Sequence, residues 1–200
     1  MIPVRFLSKM GLYKVQVEGV TVDVRVVNRA EVVATGLAEL KPLIGSTTAV
    51  GLMFKVEAKT PRMIQLCVGT RCLLIQLGDL LQYIPQCLKD FLRDPDICFV
   101  GVGMNEGVSG LRTYYQSYET GFKGGIELCE LGAMVLKEPR YLSGCGIGTL
   151  WDHVGLGAVN VPKAVTFDCR AKVFSAEQLA SAIHSVYCSH KIGSKLLAMI

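Results

Sequence analysis

Residues 12–27 alternate apolar and polar side chains with a period of two: Val15 and Val17, then Val20, Val22, Val24 and Val26 against Thr21, Asp23 and Arg25. That period sends the valines to one face of an extended chain. Glu18-Gly19 between the two runs supplies the turn, so the segment predicts a β-hairpin over 12–17 and 20–27.

Downstream, Asn28 is a candidate N-cap for a helix over 29–40, with Val32, Val33, Leu37 and Leu40 on one face. Thr48 to Glu57 reads as a third strand. Met63–Val68 and Cys72–Leu77 read as a second hairpin around Gly69-Thr70-Arg71. Ile84-Pro85 opens a short helix through Phe91 and Leu92, because proline suits a first helical turn. Asp94-Pro95-Asp96 is a turn, and Ile97–Val102 is a continuous buried strand. Helices are predicted over about 106–118, 126–136 and 147–154, and from Ser175 to about Leu197. Ser175 with Gln178 three residues on forms a capping box. Strands first and helices afterwards imply an α/β sandwich: a mixed central sheet flanked by helices, opened by an N-terminal hairpin.

Two hundred residues, half of them hydrophobic and 19% charged, supply one well-packed domain spanning 1–200, with its core at about 12–197. The net charge of +4 permits contact with nucleic acid without demanding it, since the basic residues are dispersed rather than gathered into a stripe. Pro3, Arg5 and Lys9 interrupt any leader-like apolar run, and no 18-residue uncharged stretch suggests a membrane span. An intracellular protein, nuclear or cytoplasmic, is therefore expected. Its eight cysteines (67, 72, 87, 98, 129, 145, 169 and 188) then read as reduced thiols, mostly small buried hydrophobes. No P-loop, G-x-S-x-G or H-E-x-x-H is present, and Gly144-Cys145-Gly146-Ile147-Gly148 lacks the strand context of a dinucleotide fingerprint.

Three segments are more specific. Val50-Gly51-Leu52, Gln65-Leu66-Cys67-Val68-Gly69 and Phe99-Val100-Gly101-Val102-Gly103 occur in this order, supported by Ile126-Glu127-Leu128-Cys129-Glu130-Leu131 and by Lys191-Ile192-Gly193-Ser194-Lys195-Leu196-Leu197. Together they resemble plant members of the Werner-syndrome-like 3′–5′ exonuclease family, of the DEDD group with a ribonuclease-H-like fold. The resemblance covers about residues 12–197 and implies that fold. It also implies a site of four carboxylates and a tyrosine holding two divalent metals that activate water and stabilise the leaving oxygen.

Carried over residue by residue, every one of those side chains is missing. The family's Val-Gly-Leu-Asp-x-Glu becomes Val50-Gly51-Leu52-Met53-Phe54-Lys55, so Met53 and Lys55 stand for the first two acids. Gly107 stands for the third, while Ser181 and Ser185 stand for the tyrosine and the last aspartate. The tryptophan that follows the glutamate in the family is Val56 here. Neutral side chains cannot balance two Mg²⁺. An ammonium 4 Å from one such ion, at an effective dielectric of about 20, repels it by about 8 kcal/mol. Glu57, Glu106 and His184 are weak stand-in ligands. Their plainer readings are a solvated strand-end carboxylate, a first-turn acid on a helix dipole and a packed histidine.

The resemblance thus implies a pseudoenzyme that acts by binding, with a protein partner favoured. Tyr114, Tyr115 and Tyr118 offer amphipathic aromatics for an interface. A nucleic-acid binder using the ancestral cleft is the first alternative, since Lys55 suits a phosphate. A residual exonuclease using Mg or Mn is the second. No cofactor is expected otherwise, and the hydrophobicity admits a homo-oligomer.

Overall fold

The computed structural model describes residues 4–45, 48–80, 84–114 and 125–200. A short helix α1 (Val4–Lys9) leads into β1 (Leu12–Val17) and β2 (Val20–Val27), which pair antiparallel with Val15 opposite Val22. Glu18 and Gly19 make the turn at φ 49° and 73°, the left-handed conformation that a two-residue hairpin with native twist requires. Next come α2 (Ala30–Leu40), β3 (Val50–Glu57), β4 (Thr60–Val68) and β5 (Arg71–Gln76), then α3 (Gln86–Arg93) and β6 (Phe99–Gly101). The chain continues through α4 (Met104–Tyr114), β7 (Ile126–Glu127), α5 (Leu128–Leu136), α6 (Ile147–His153) and the long α7 (Ala176–Leu197).

The seven strands among the described residues form one sheet in the order β1-β2-β5-β4-β3-β6-β7. β3, β4 and β5 are a continuous antiparallel meander, whereas β2–β5, β3–β6 and β6–β7 pair parallel. The mixed sheet expected from the sequence is therefore the sheet observed. Its alternating side chains split the core in two. Val15, Val22, Val24, Cys67, Cys72 and Leu74 face α5, α6 and α7. Leu52, Ile64, Leu66, Leu73 and Ile75 face α2, α3 and α4, meeting Leu37, Leu88, Phe91 and Leu111.

Several local expectations are corrected. The N-cap of α2 is Arg29, not Asn28, and its side chain makes no capping hydrogen bond. Pro85 caps α3 rather than entering it. The strand expected over 97–102 pairs only over Phe99–Gly101. Ile126 and Glu127, expected to be helical, form an edge strand beside Val100 and Gly101 before α5 begins. The expectation of eight reduced thiols also fails: Cys129, in the first turn of α5, is disulfide-bonded to Cys145, with Cα atoms 5.9 Å apart. A separation of 16 residues in sequence gives no hint that helix and turn meet there. Tyr115 and Tyr118 lie outside the described residues, as does the side chain of Tyr114. No helix among the described residues is long and apolar enough to cross a membrane.

Candidate functional site

Two glycines bring β3 and α7 together. A Cβ on Gly51 would stand 2.3 Å from the Val186 carbonyl oxygen, and one on Gly193 would stand 2.8 Å from Ala49 Cβ. Only glycine permits such an approach of backbone to backbone. Ser194 Oγ accepts a hydrogen bond from the Ala49 amide at 3.1 Å. His190 Nδ1 donates to the Ala49 carbonyl at 2.7 Å, and its Nε2 accepts from the Gly69 amide at 2.8 Å. Burial holds the pKa of His190 below its ordinary value. With Ser194 beside Ala49 and Val186 beside Gly51, α7 runs antiparallel to β3. Met53 and Lys55 on the strand and Ser185 and Ser181 on the helix therefore fall at the same end of this interface, all half-buried.

Gly107 sits on α4, in contact with the opposite face of β3. A Cβ there would lie 2.2 Å from Phe54 Cδ2 and 2.7 Å from Phe54 Cβ. The ring of Phe54 fills the room that a longer side chain at position 107 would need.

The chain itself returns beside the Lys55 end of the strand. Gln76, at the end of β5, donates through Nε2 to the carbonyls of both Cys169 and Ala171, each at 2.8 Å. Asp168 to Ala171 is a tight turn, closed by the Ala171 amide on the Asp168 carbonyl at 3.1 Å. Cys169 is buried beside this row; Gln76 pairs with Met63, and Met63 with Lys55. Burial pushes the Cys169 thiol up to about 11, with Glu57 adding to the effect and Lys55 opposing it.

The stand-in acids are engaged elsewhere or stand apart. Glu57 Oε2 lies 3.6 Å from Arg62 Nε, within ion-pair range but long for a hydrogen bond. Glu106 is exposed in the first turn of α4. His184 reaches the β1–β2 turn, where its Nε2 lies 2.8 Å from Glu18 Oε1.

Sequence reasoning passed over four of the residues that build this region. Glu127 accepts hydrogen bonds from the amides of Gly103 (3.2 Å) and Met104 (2.5 Å), capping the start of α4 from the adjacent edge strand. Gln76 and Cys169 hold the turn beside Lys55. Glu18 carries a positive φ in a turn position that favours Asn, Asp or Gly. That misfit was visible in the sequence as the one signal available.

No protein-family model matches the chain, and no curated protein matches it. Solved structures do. A crystal structure of the EXD2 exonuclease domain soaked in Mn and Mg superposes with a TM-score of 0.51 at 21% identity, over 84% of this chain and 86% of that one. The same domain without soaked ions gives 0.50 at 22% identity over 84% and 86%. With Mn and GMP it gives 0.50 at 21% identity over the same shares. At this level of identity the likeness is one of fold: the chain is built on the mixed α/β, ribonuclease-H-like architecture of an exonuclease domain.

Proposed function

We propose that this chain is a 3′–5′ exonuclease-like protein without nuclease activity, which acts by binding a protein partner. The observation that carries the reading is Gly107 against Phe54. An aspartate at that position would drive its Cβ to within 2.7 Å of Phe54 Cβ, a clash relieved only by shifting α4 and β3 apart. Met53, Lys55, Ser181 and Ser185 offer no carboxylate at the other aligned positions, so divalent ions would find no balancing charge there. The Gln76-held turn at Cys169 adds to the case, because it lies beside the Lys55 end of the strand.

The nucleic-acid alternative draws less support. Lys14 pairs with Asp23 at 2.7 Å, Arg25 with Glu39 at 2.8 Å and Arg140 with Glu138 at 3.2 Å, which breaks up the positive field that phosphates would follow.

The test is a nuclease assay on 3′-labelled single-stranded and recessed duplex DNA and RNA with Mg²⁺ or Mn²⁺. No release of nucleotides at micromolar protein is expected. Metal-dependent release that is lost in Glu57→Ala or Glu106→Ala would overturn the reading and restore an active exonuclease. Single-strand binding that weakens steeply with salt, without cleavage, would transfer the function to the nucleic-acid alternative.

A further inference from the structure

The turn of the first hairpin is an unusual place for Glu18. Glu18 and Gly19 both adopt positive φ, as a type I′ turn requires, a conformation in which the Cβ of any residue but glycine crowds the following carbonyl oxygen. Its side chain is nevertheless turned inward and only 6% exposed. Both carboxylate oxygens accept from the Asn160 amide at 3.1 Å, which fixes the orientation of the group. Opposite it on α7, His184 and Cys188 are both buried. They are four residues apart, so their side chains stand one above the other on the same helix face. His184 Nε2 is 2.8 Å from Glu18 Oε1, and Cys188 Sγ is 3.7 Å from His184 Nε2. The three donor atoms all lie within 4.8 Å of one another.

We propose that Glu18, His184 and Cys188 form a binding site for one Zn²⁺-like transition ion, clamping the first hairpin to the last helix. The donor set of carboxylate, imidazole and thiolate suits zinc or cobalt and not the hard ions Mg²⁺ and Ca²⁺. Zinc bonds of about 2.0–2.3 Å require ligand atoms about 3.4–3.6 Å apart. The sulfur–nitrogen separation is already close to that value, and the oxygen–nitrogen separation has to open by about 0.6 Å. A doubly charged ion with one carboxylate and one thiolate is electrically neutral, which a buried site demands. The Asn160 amide would serve as the outer partner that orients the carboxylate. A water completes the tetrahedron.

The experiment uses untagged, chelator-treated full-length protein titrated with Co²⁺ and with Zn²⁺. One equivalent of Co²⁺ is expected to bind, with the visible absorption of a tetrahedral site and a thiolate-to-cobalt charge-transfer band, and Zn²⁺ should displace it stoichiometrically. Zinc at about a hundred times its dissociation constant should raise Tm by roughly 5–10 °C. Excess Mg²⁺ should neither compete nor shift Tm. Cys188→Ser, which keeps the helix and the volume, should abolish the charge-transfer band, and Glu18→Gln should weaken binding at least tenfold. The proposal is overturned if the wild-type protein binds no stoichiometric Co²⁺, or if the charge-transfer band survives in Cys188→Ser.

Discussion

At position 51 an added Cβ meets the Val186 carbonyl and the Cβ of His190, both on a helix that cannot retreat without losing its own contacts. Gly51→Ala should therefore cost about 1–3 kcal/mol, read as a fall in Tm of about 2–4 °C for each kcal/mol. His190 adds a pH dependence. Its folded-state pKa is depressed below 6.5, first by burial and then by Lys191, against the opposing bond to Ala49. Below pH 6.5 the unfolded chain binds a proton that the folded chain resists. Stability is thus fully present above that pH and falls as pH drops toward the folded value. Urea midpoints measured across this range should slope downward with acid in the wild type. His190→Gln should be less stable at neutral pH but flatter between pH 7 and 5; an unchanged slope would locate the titration elsewhere.

At the scale of elements, two links carry separable predictions. The capping box that opens α7 has Ser175 Oγ accepting from the Gln178 amide at 3.2 Å and Gln178 Oε1 accepting from the Ser175 amide at 2.9 Å. Ser175→Ala should cost about 1 kcal/mol. The disulfide between Cys129 and Cys145 closes a loop of 16 residues, for which chain entropy gives about 3 kcal/mol. Reduction, or Cys145→Ser, should lower Tm accordingly, and intact-mass analysis after alkylation should find six free thiols before reduction and eight after it. The two links differ in legibility. The box lies in four consecutive residues and its chemistry is local, so the sequence displays it. The disulfide depends on where α5 and the turn before α6 come to rest, which no spacing rule encodes. For the same reason the hairpin at 12–27 was readable from its valines, whereas β7 was not. Two residues carry no period, and only the parallel pairing of Ile126 with Val100 makes them a strand. The candidate site divides likewise. Met53, Lys55, Gly107, Ser181 and Ser185 were nameable by alignment, but the Phe54 ring at Gly107 and the Cys169 turn beside Lys55 arise from tertiary packing.

Across the whole molecule, α7 is the element on which the rest depends. It buries Leu179, Ile183, Val186, Tyr187, Ile192 and Leu196 against one face of the sheet. At about 1.5–3 kcal/mol for each such side chain, its removal forfeits about 9–18 kcal/mol, as much as the 5–15 kcal/mol that hold an ordinary domain together. A chain ending at Val173 should therefore lack the dispersed amide spectrum and cooperative melting of the full protein. Retention of both would show that α2, α3 and α4 suffice on the other face.

This dependence has a consequence for biosynthesis. The strands β1 to β6 leave the ribosome well before α7, which is the last of the described elements to be made. At about 5–20 residues per second, the 74 residues between Gly101 and Ala176 take several seconds to emerge. During that interval the valines of the first hairpin, Cys67, Cys72 and Leu74 have no helix to cover them. Without α7 to close over them, these strand segments leave the ribosome as exposed apolar chain, the kind of surface on which aggregation starts and chaperones act.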